Sequence, residues 1–130
     1  MTDEQFNFWQ AHSLKYLEMA FQYDNQGRLE APDGYGQRTG DCGDTVEMFI
    51  SVSGHIIESI TYQVQGCINT NACANTVIRM AEGRNVDEAW AVTPEMVIEY
   101  LETLPKNHWH CAELAVGALY QALADYNRKH

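Results

Sequence analysis

Four cysteines are the residues of this chain best equipped for chemistry, and one of them lies in the stretch GDCGD at residues 40–44. A tight loop into a following strand would account for Gly40 and Gly43, but not for a thiol placed where exposure is a hazard without a use. Thiolate sulfur is a soft ligand and a strong nucleophile, so Cys42 points to metal binding or sulfur chemistry. Cys67 follows Gly66 where a strand-like run gives way to a helical one, and Cys111 follows His110 at the start of the last helical run. Amide N–H groups at a helix start favour negative charge, so both thiols are expected to ionise more readily than an ordinary cysteine. Cys73 would lie about 240° round a helix from Cys67 and point away from it. It is expected to be a buried, inert thiol, with a reserve ligand or sulfur relay as the alternative. The separations match no CxxC zinc pattern, so spacing alone says only that dispersed thiols could converge.

Among the histidines, His12, His55 and His130 read as ordinary surface or edge residues. In an extended segment His108 and His110 would share one side and Trp109 take the other, leaving His110 within reach of a centre that includes Cys111.

These residues need elements to position them. Phe6, Trp9, Leu14, Leu17 and Phe21 recur at helical spacing and predict an N-terminal helix over 4–23, with Trp9 and Phe21 packed on a core. The glycine-rich segment up to Gly43 reads as loop, with a short edge strand near Tyr35 to Arg38. Val46, Met48 and Ile50, then Ile56, Ile60 and Tyr62, predict two antiparallel strands over 44–53 and 55–65, turning at Ser53–Gly54. The period then becomes helical over 69–128. Gly83 caps the first helix, Asn85 with Glu88 opens a short one through Ala91, and Thr93–Pro94 opens another that runs through Leu104 to Pro105. The last helix starts near Trp109 or Cys111 and runs to Tyr126. The pattern predicts one α+β domain over 1–130, a small antiparallel sheet of two to three strands packed against several helices.

Length and composition agree: 130 residues suit one core, and 45% hydrophobic with 20% charged residues is a folding composition. A formal net charge of −10 argues against nucleic acid or an anionic membrane as partner. It fits a basic protein partner, and equally a merely solvated surface. MTDEQFNFWQ lacks the basic segment and apolar run of a signal peptide, so the chain is expected to be cytoplasmic, where cysteines serve as ligands, nucleophiles or buried residues rather than disulfides.

Taken in order, CGD at 42–44 before a hairpin, GC at 66–67 opening a helix, LP at 104–105 followed by HC at 110–111, and the terminal HCAELAVGALYQALADY resemble the NifU/IscU-type iron–sulfur cluster assembly scaffolds, in a divergent branch. The resemblance implies a binding and transfer protein rather than an enzyme. It implies a [2Fe–2S] cluster held by Cys42, Asp44, Cys67 and Cys111, with His110 as a nearby or alternative ligand. A carboxylate suits iron less well than a thiolate within a sulfide cluster, and a weak fourth ligand befits a protein that must release what it builds. Two residues apart at an extended strand start, Asp44 and Cys42 are expected to face one site. The implied partners are a cysteine desulfurase, apo iron–sulfur acceptor proteins and an electron donor such as a ferredoxin. Where a dedicated Hsp70 chaperone serves the family, the segment before HC carries LPPVK; here it reads LPKNHWHC, which puts that partner in question.

Two other readings stand beside this one. The same four residues would hold tetrahedral zinc in a sulfur-acceptor protein. A cysteine hydrolase using Cys111 or Cys67 with a histidine base is the third, though no group that would orient the histidine is visible in the sequence.

Overall fold

The computed structural model describes residues 8–130. Three strands form an antiparallel sheet of order β1-β2-β3, with β1 at Gly34–Thr39, β2 at Thr45–Ser53 and β3 at Ile56–Gln65. The β2–β3 turn is made by Gly54 and His55, both at positive φ (59° and 67°), one residue later than the sequence suggests. Val46, Met48, Ile50, Ile57, Ile60 and Tyr62 are all buried. The expected set included Ile56 instead of Ile57. Opposite Ser51 and Val52 the partners are Ser59 and Ile57, which leaves Glu58 as an extra residue. That bulge shifts the alternation, so Ile57 enters the core and Ile56 is 40% exposed. On the other face Phe49 is covered by Tyr35 and by the Arg28 guanidinium, which explains the mixed pattern of β2.

Helices cover one face of the sheet. They are α1 (Leu14–Ala20), α2 (Ile68–Ala81), α3 (Val86–Ala89), α4 (Pro94–Leu101) and α5 (His110–Lys129), with a 3-10 turn at Lys106–His108. The expected helix over 4–23 is broken. Its first residues, Phe6 included, lie outside the described region; residues 8–11 are helical, and Ser13 then caps α1 by accepting from the Tyr16 amide. Ser13 Oγ also donates to the Leu101 carbonyl, and its amide donates to Thr103 Oγ1. The break is thus held by residues far along the chain. Tyr16, Leu17, Met19 and Ala20 face the core, whereas Leu14 is 85% exposed and Trp9 stacks on Phe21 at the surface. The short α1 leaves carbonyls without helical partners. Asn71 Nδ2 donates to the Ala20 carbonyl, and Asn75 Nδ2 to those of Met19 and Gln22.

Asn85 and Thr93 cap α3 and α4 as their types suggest. However, α4 stops at Leu101 rather than Leu104, because Glu102 leaves the helical region at φ 63°. The longest helix, α5, lies against β1 through small residues. A Cβ at Gly36 would run into the Ala118 carbonyl oxygen and the Ala122 amide. Among the described residues no helix is long and apolar enough to cross a membrane.

Candidate metal centre

The loop between β1 and β2 presents Cys42 and Asp44. The Gly40 amide donates to the Asp44 carbonyl, the Gly43 amide donates to the Gly40 carbonyl, and Gly43 takes φ 90°. The two side chains therefore reach one site through a turn, not through the alternation of an extended strand. Cys67 is the N-cap of α2, with β-region backbone (φ −94°, ψ 179°). His110 and Cys111 open α5, but the 3-10 turn runs straight into this helix: Trp109 already has helical angles, and the Ala112 amide is bonded to its carbonyl.

These segments converge. Ligand atoms of Cys42, Asp44 and His110 lie within 4.8 Å of one another, and so do those of Cys67, His108 and Cys111. His110 Nε2 stands between the two sets, 3.5 Å from Cys42 Sγ and 3.8 Å from Cys111 Sγ. A second link is Thr70, whose hydroxyl donates to Asp44 Oδ2 at 3.2 Å and lies 3.4 Å from Cys111 Sγ and 3.8 Å from Cys67 Sγ. Gly66 allows this approach, since a Cβ there would lie 2.8 Å from Thr70 Oγ1 and 3.1 Å from Asp44 Cγ. On one side the centre opens into a 440 Å³ cleft lined by Arg38, Gly40, Cys42, His110 and Glu113. On the other, Cys67 borders a smaller cleft with Tyr23, Val64 and Asn71.

The thiols are not equivalent. Burial works to raise the Cys67 thiol, but the amides and side chains of Thr70 and Asn69 outweigh it and hold the thiol below its ordinary value. Cys111 behaves oppositely to the expectation for a helix start. Burial pushes its pKa up to about 11; the Thr70 hydroxyl opposes the shift, while Cys67, Asp44 and Cys42 add to it. The favourable field of a helix terminus is lost here because the preceding 3-10 turn occupies that end and the side chain is fully buried. A protonated Cys111 can donate to Thr70 Oγ1 while Thr70 donates to Asp44, so one hydroxyl joins a neutral thiol to a carboxylate. Cys73 is buried in the core and burial raises its thiol well above the ordinary value, as an inert thiol requires.

Cys42, Asp44, Cys67, His110 and Cys111 were all visible in the sequence; Asn69, Thr70 and His108 were not assigned. His108 joins the site from the 3-10 turn, with its ring centroid 5.9 Å from that of His110. The shared side expected for the two histidines is present, produced by a turn and not by an extended segment. Asn69 Nδ2 donates toward Cys67 Sγ at 3.6 Å while its Oδ1 accepts from the Tyr16 hydroxyl at 2.6 Å. The available signal was the run INTNACANT itself, too polar for a helix start that is otherwise buried.

The model of the NifU-like N terminal domain matches residues 12–130. The chain belongs to this family. Among its members, the iron–sulfur cluster assembly scaffold protein IscU 1 of Archaeoglobus fulgidus is 38% identical over 107 residues, covering 82% of this chain and 70% of the relative. The IscU scaffold of Escherichia coli is 31% identical over 127 residues, covering 92% and 96%. A NifU-like protein (N-terminal) from Brucella abortus shares the fold, with a TM-score of 0.75 at 17% identity over 91% of this chain and 95% of that one. The NifU-like family and the α+β fold expected from the motifs are therefore both observed.

Proposed function

We propose that this NifU-like chain is a scaffold on which an iron–sulfur cluster is assembled and from which it is passed to acceptor proteins. The observation that carries this reading is the convergence of three sulfurs and one carboxylate from three separated segments at a site open to solvent. The cluster, a [2Fe–2S] unit, is the cargo, held by Cys42, Asp44, Cys67 and Cys111 with His110 alongside. The donor set fits it: thiolates suit iron and sulfide, and Asp44 supplies the weaker position. The scaffold relatives of the family support the same reading.

Sulfur arrives as the outer atom of a persulfide on a cysteine desulfurase. An exposed thiolate of the centre attacks that atom; the new S–S bond forms on the scaffold as the donor's S–S bond breaks, and the donor cysteine leaves as thiolate. Reducing the transferred sulfur to sulfide takes two electrons, supplied by an electron donor such as a ferredoxin. Apo iron–sulfur proteins are the acceptors. Zinc held at the same residues in a sulfur-acceptor protein is the second reading, favoured by the mixed thiol, imidazole and carboxylate set. A hydrolase using Cys111 is disfavoured, since a nucleophilic thiol needs a lowered pKa and burial raises this one; one using Cys67 is disfavoured because the nearby His108 has no group to orient it, its Nδ1 making no hydrogen bond.

The test is anaerobic reconstitution of the full chain with ferrous iron and sulfide, followed by counts of both and by visible absorption. The reading expects iron, acid-labile sulfide and visible bands in the native chain, and their loss in Cys42→Ser. Stoichiometric zinc without sulfide uptake would overturn it in favour of the second reading.

A further inference from the structure

Among the described residues, only His55 and Glu102 take a positive φ without being glycine. His55 belongs to a hairpin turn, where such angles are usual. Glu102 closes no hairpin. With φ 63° and ψ −44°, and with the Thr103 amide donating to the Leu101 carbonyl at 2.6 Å, it forms a γ-turn of the rare, strained hand. We propose that residues 102–109 are a strained lid over Cys111, latched shut by His12 and Ser13, and that release of the latch lifts the lid while α5 keeps its place. The inference concerns the fold and does not depend on the cargo the centre takes.

Three observations carry the proposal. First, the latch grips both neighbours of the strained residue. Ser13 Oγ donates to the Leu101 carbonyl at 2.8 Å, and the Ser13 amide donates to Thr103 Oγ1 at 3.0 Å. The Thr103 hydroxyl also lies 3.0 Å from His12 Nδ1, and the His12 ring stacks on that of Tyr16 with centroids 3.9 Å apart. Tyr16 is buried, so the grip is anchored in the core through α1. Strain persists only where the surrounding structure over-determines it, and here these bonds do so. Second, little else holds the segment down. Of residues 102–109, Leu104 alone is buried. The rest is braced within itself: the His108 amide donates to the Pro105 carbonyl, the Trp109 amide to that of Lys106, and Trp109 Nε1 to that of Leu104. A segment with so few buried contacts opens as a unit, well short of global unfolding. Third, the segment lies against a thiol that is otherwise shut off. A His108 ring nitrogen stands within 4.8 Å of Cys111 Sγ, and Cys111 is fully buried. The body of α5 is held separately, by Ala115, Ala118 and Leu119 in the core, so the lid rises without it.

Docking of the N-terminal segment therefore sets access to Cys111. Whatever draws His12 and Ser13 away frees the γ-turn to relax and uncovers the thiol.

Hydrogen exchange of the metal-free full chain, read amide by amide, tests this. In the native chain the His108, Trp109 and Ala112 amides should exchange at least about tenfold faster than those of Val116 to Leu119 at the middle of α5, as local opening requires. Thr103→Val keeps the side-chain shape but removes the latch's hydroxyl, and the same three amides should exchange about tenfold faster. The Val86 amide, bonded to the His55 carbonyl at the β2–β3 turn, should not change. Glu102→Gly separates a strained lid from an ordinary loop. Glycine normally loosens a segment, by about two- to fivefold. Here relief of strain works about 5- to 150-fold the other way, so the lid amides should exchange about tenfold slower. Lid exchange that Glu102→Gly leaves unchanged or quickens would overturn the proposal, as would lid amides as protected as the middle of α5, or no response to Thr103→Val. Should Thr103→Val fail to fold by circular dichroism, the native pattern and the direction of the Glu102→Gly effect decide. Iron–sulfide reconstitution plays no part in these readings, so the lid and the scaffold stand or fall separately.

Discussion

Cys67 and Cys111 share contact with one hydroxyl, yet they should react with an electrophile at very different rates. With its pKa pushed up to about 11, Cys111 is thiolate to only roughly 0.03% near pH 7.5. An ordinary thiol near 8.5 is about 10% ionised at that pH. Against such a thiol, ionisation alone sets Cys111 back by about 300-fold. Nucleophilicity works the other way: a Brønsted coefficient of about 0.4–0.5 over about 2.5 pK units returns roughly ten- to twentyfold to Cys111. An ordinary thiol would thus outpace Cys111 by about twentyfold. Cys67 is held below its ordinary value by Thr70 and Asn69, so it is expected to be the faster of the two, and the burial of Cys111 widens the gap.

The assay is time-resolved alkylation of metal-free protein by iodoacetamide, with each cysteine read by peptide mass. As pH rises, the Cys67 rate should level off once its lowered pKa is passed, while the Cys111 rate keeps climbing toward about 11. Thr70→Val keeps the shape of the side chain but removes the hydroxyl that favours both thiolates, so both rates near neutral pH should fall. Equal rates for the two cysteines, or a Cys111 rate that levels off first, would refute the electrostatic account of the centre.

Other outcomes follow from the same geometry. Asp44→Ala should slow cluster transfer to an apo acceptor, monitored by the acceptor's own absorption; transfer at the native rate would defeat the argument for a weak fourth ligand. Gly36→Ala should cost about 1–3 kcal/mol or more, because the new methyl meets α5 backbone that cannot give, and should lower Tm by about 5 °C or more. Asp125 is buried and, though burial raises its carboxyl, Lys129, the Tyr35 amide and Arg128 hold it below the ordinary range. Its contribution is therefore complete above the unfolded value near about 4 and fades as pH falls through the lower folded value, so Asp125→Asn should lose about 1.5–3 kcal/mol at neutral pH and flatten acid unfolding below about pH 4. Asn75→Ala removes the donor that serves the Met19 and Gln22 carbonyls, and hydrogen exchange over α1 should quicken before the rest of the fold responds.

Local signals were legible in the sequence and remote ones were not. Asn85 and Thr93–Pro94 mark their helix starts correctly because a cap acts on amides a few residues away. Gly83 does not cap α2 as expected: Glu82 is the C-cap, and the Gly83 amide donates to the Ile57 carbonyl of β3. The break at Ser13 depends on Leu101 and Thr103, and no periodicity within residues 4–23 could disclose it. Likewise the bulge at Glu58 is a property of the β2–β3 pairing, so a two-residue period counted from Ile56 picks the wrong face. At the centre, motif order identified Cys42, Asp44, Cys67, His110 and Cys111, whereas spacing alone gave only dispersed thiols. A helix start by itself favours an ionised Cys111, but the preceding 3-10 turn and tertiary packing close that end and bury the thiol.

The centre joins an unyielding half to a yielding one. Cys67 caps α2 and Cys111 lies in α5, and the inner faces of these helices bury Ala72, Val77, Ala115 and Leu119. Moving the backbone beneath either cysteine by a few ångströms means prising apart a close-packed layer, at about 25 cal/mol for each Å² of apolar surface exposed. Cys42 and Asp44 ride on a loop that Gly40 and Gly43 shape, with Cys42 exposed and nothing within 4 Å of a Cβ built at Gly43. Rotation of a few loop dihedrals displaces them without opening the core. Asp44 also has a second partner in the Thr70 hydroxyl, so leaving a metal would not strand its carboxylate. On the proposed scaffold reading, a cargo spanning both halves would be fixed in place by the helices and let go by the loop, and the carboxylate would stand where the bond has to break most easily.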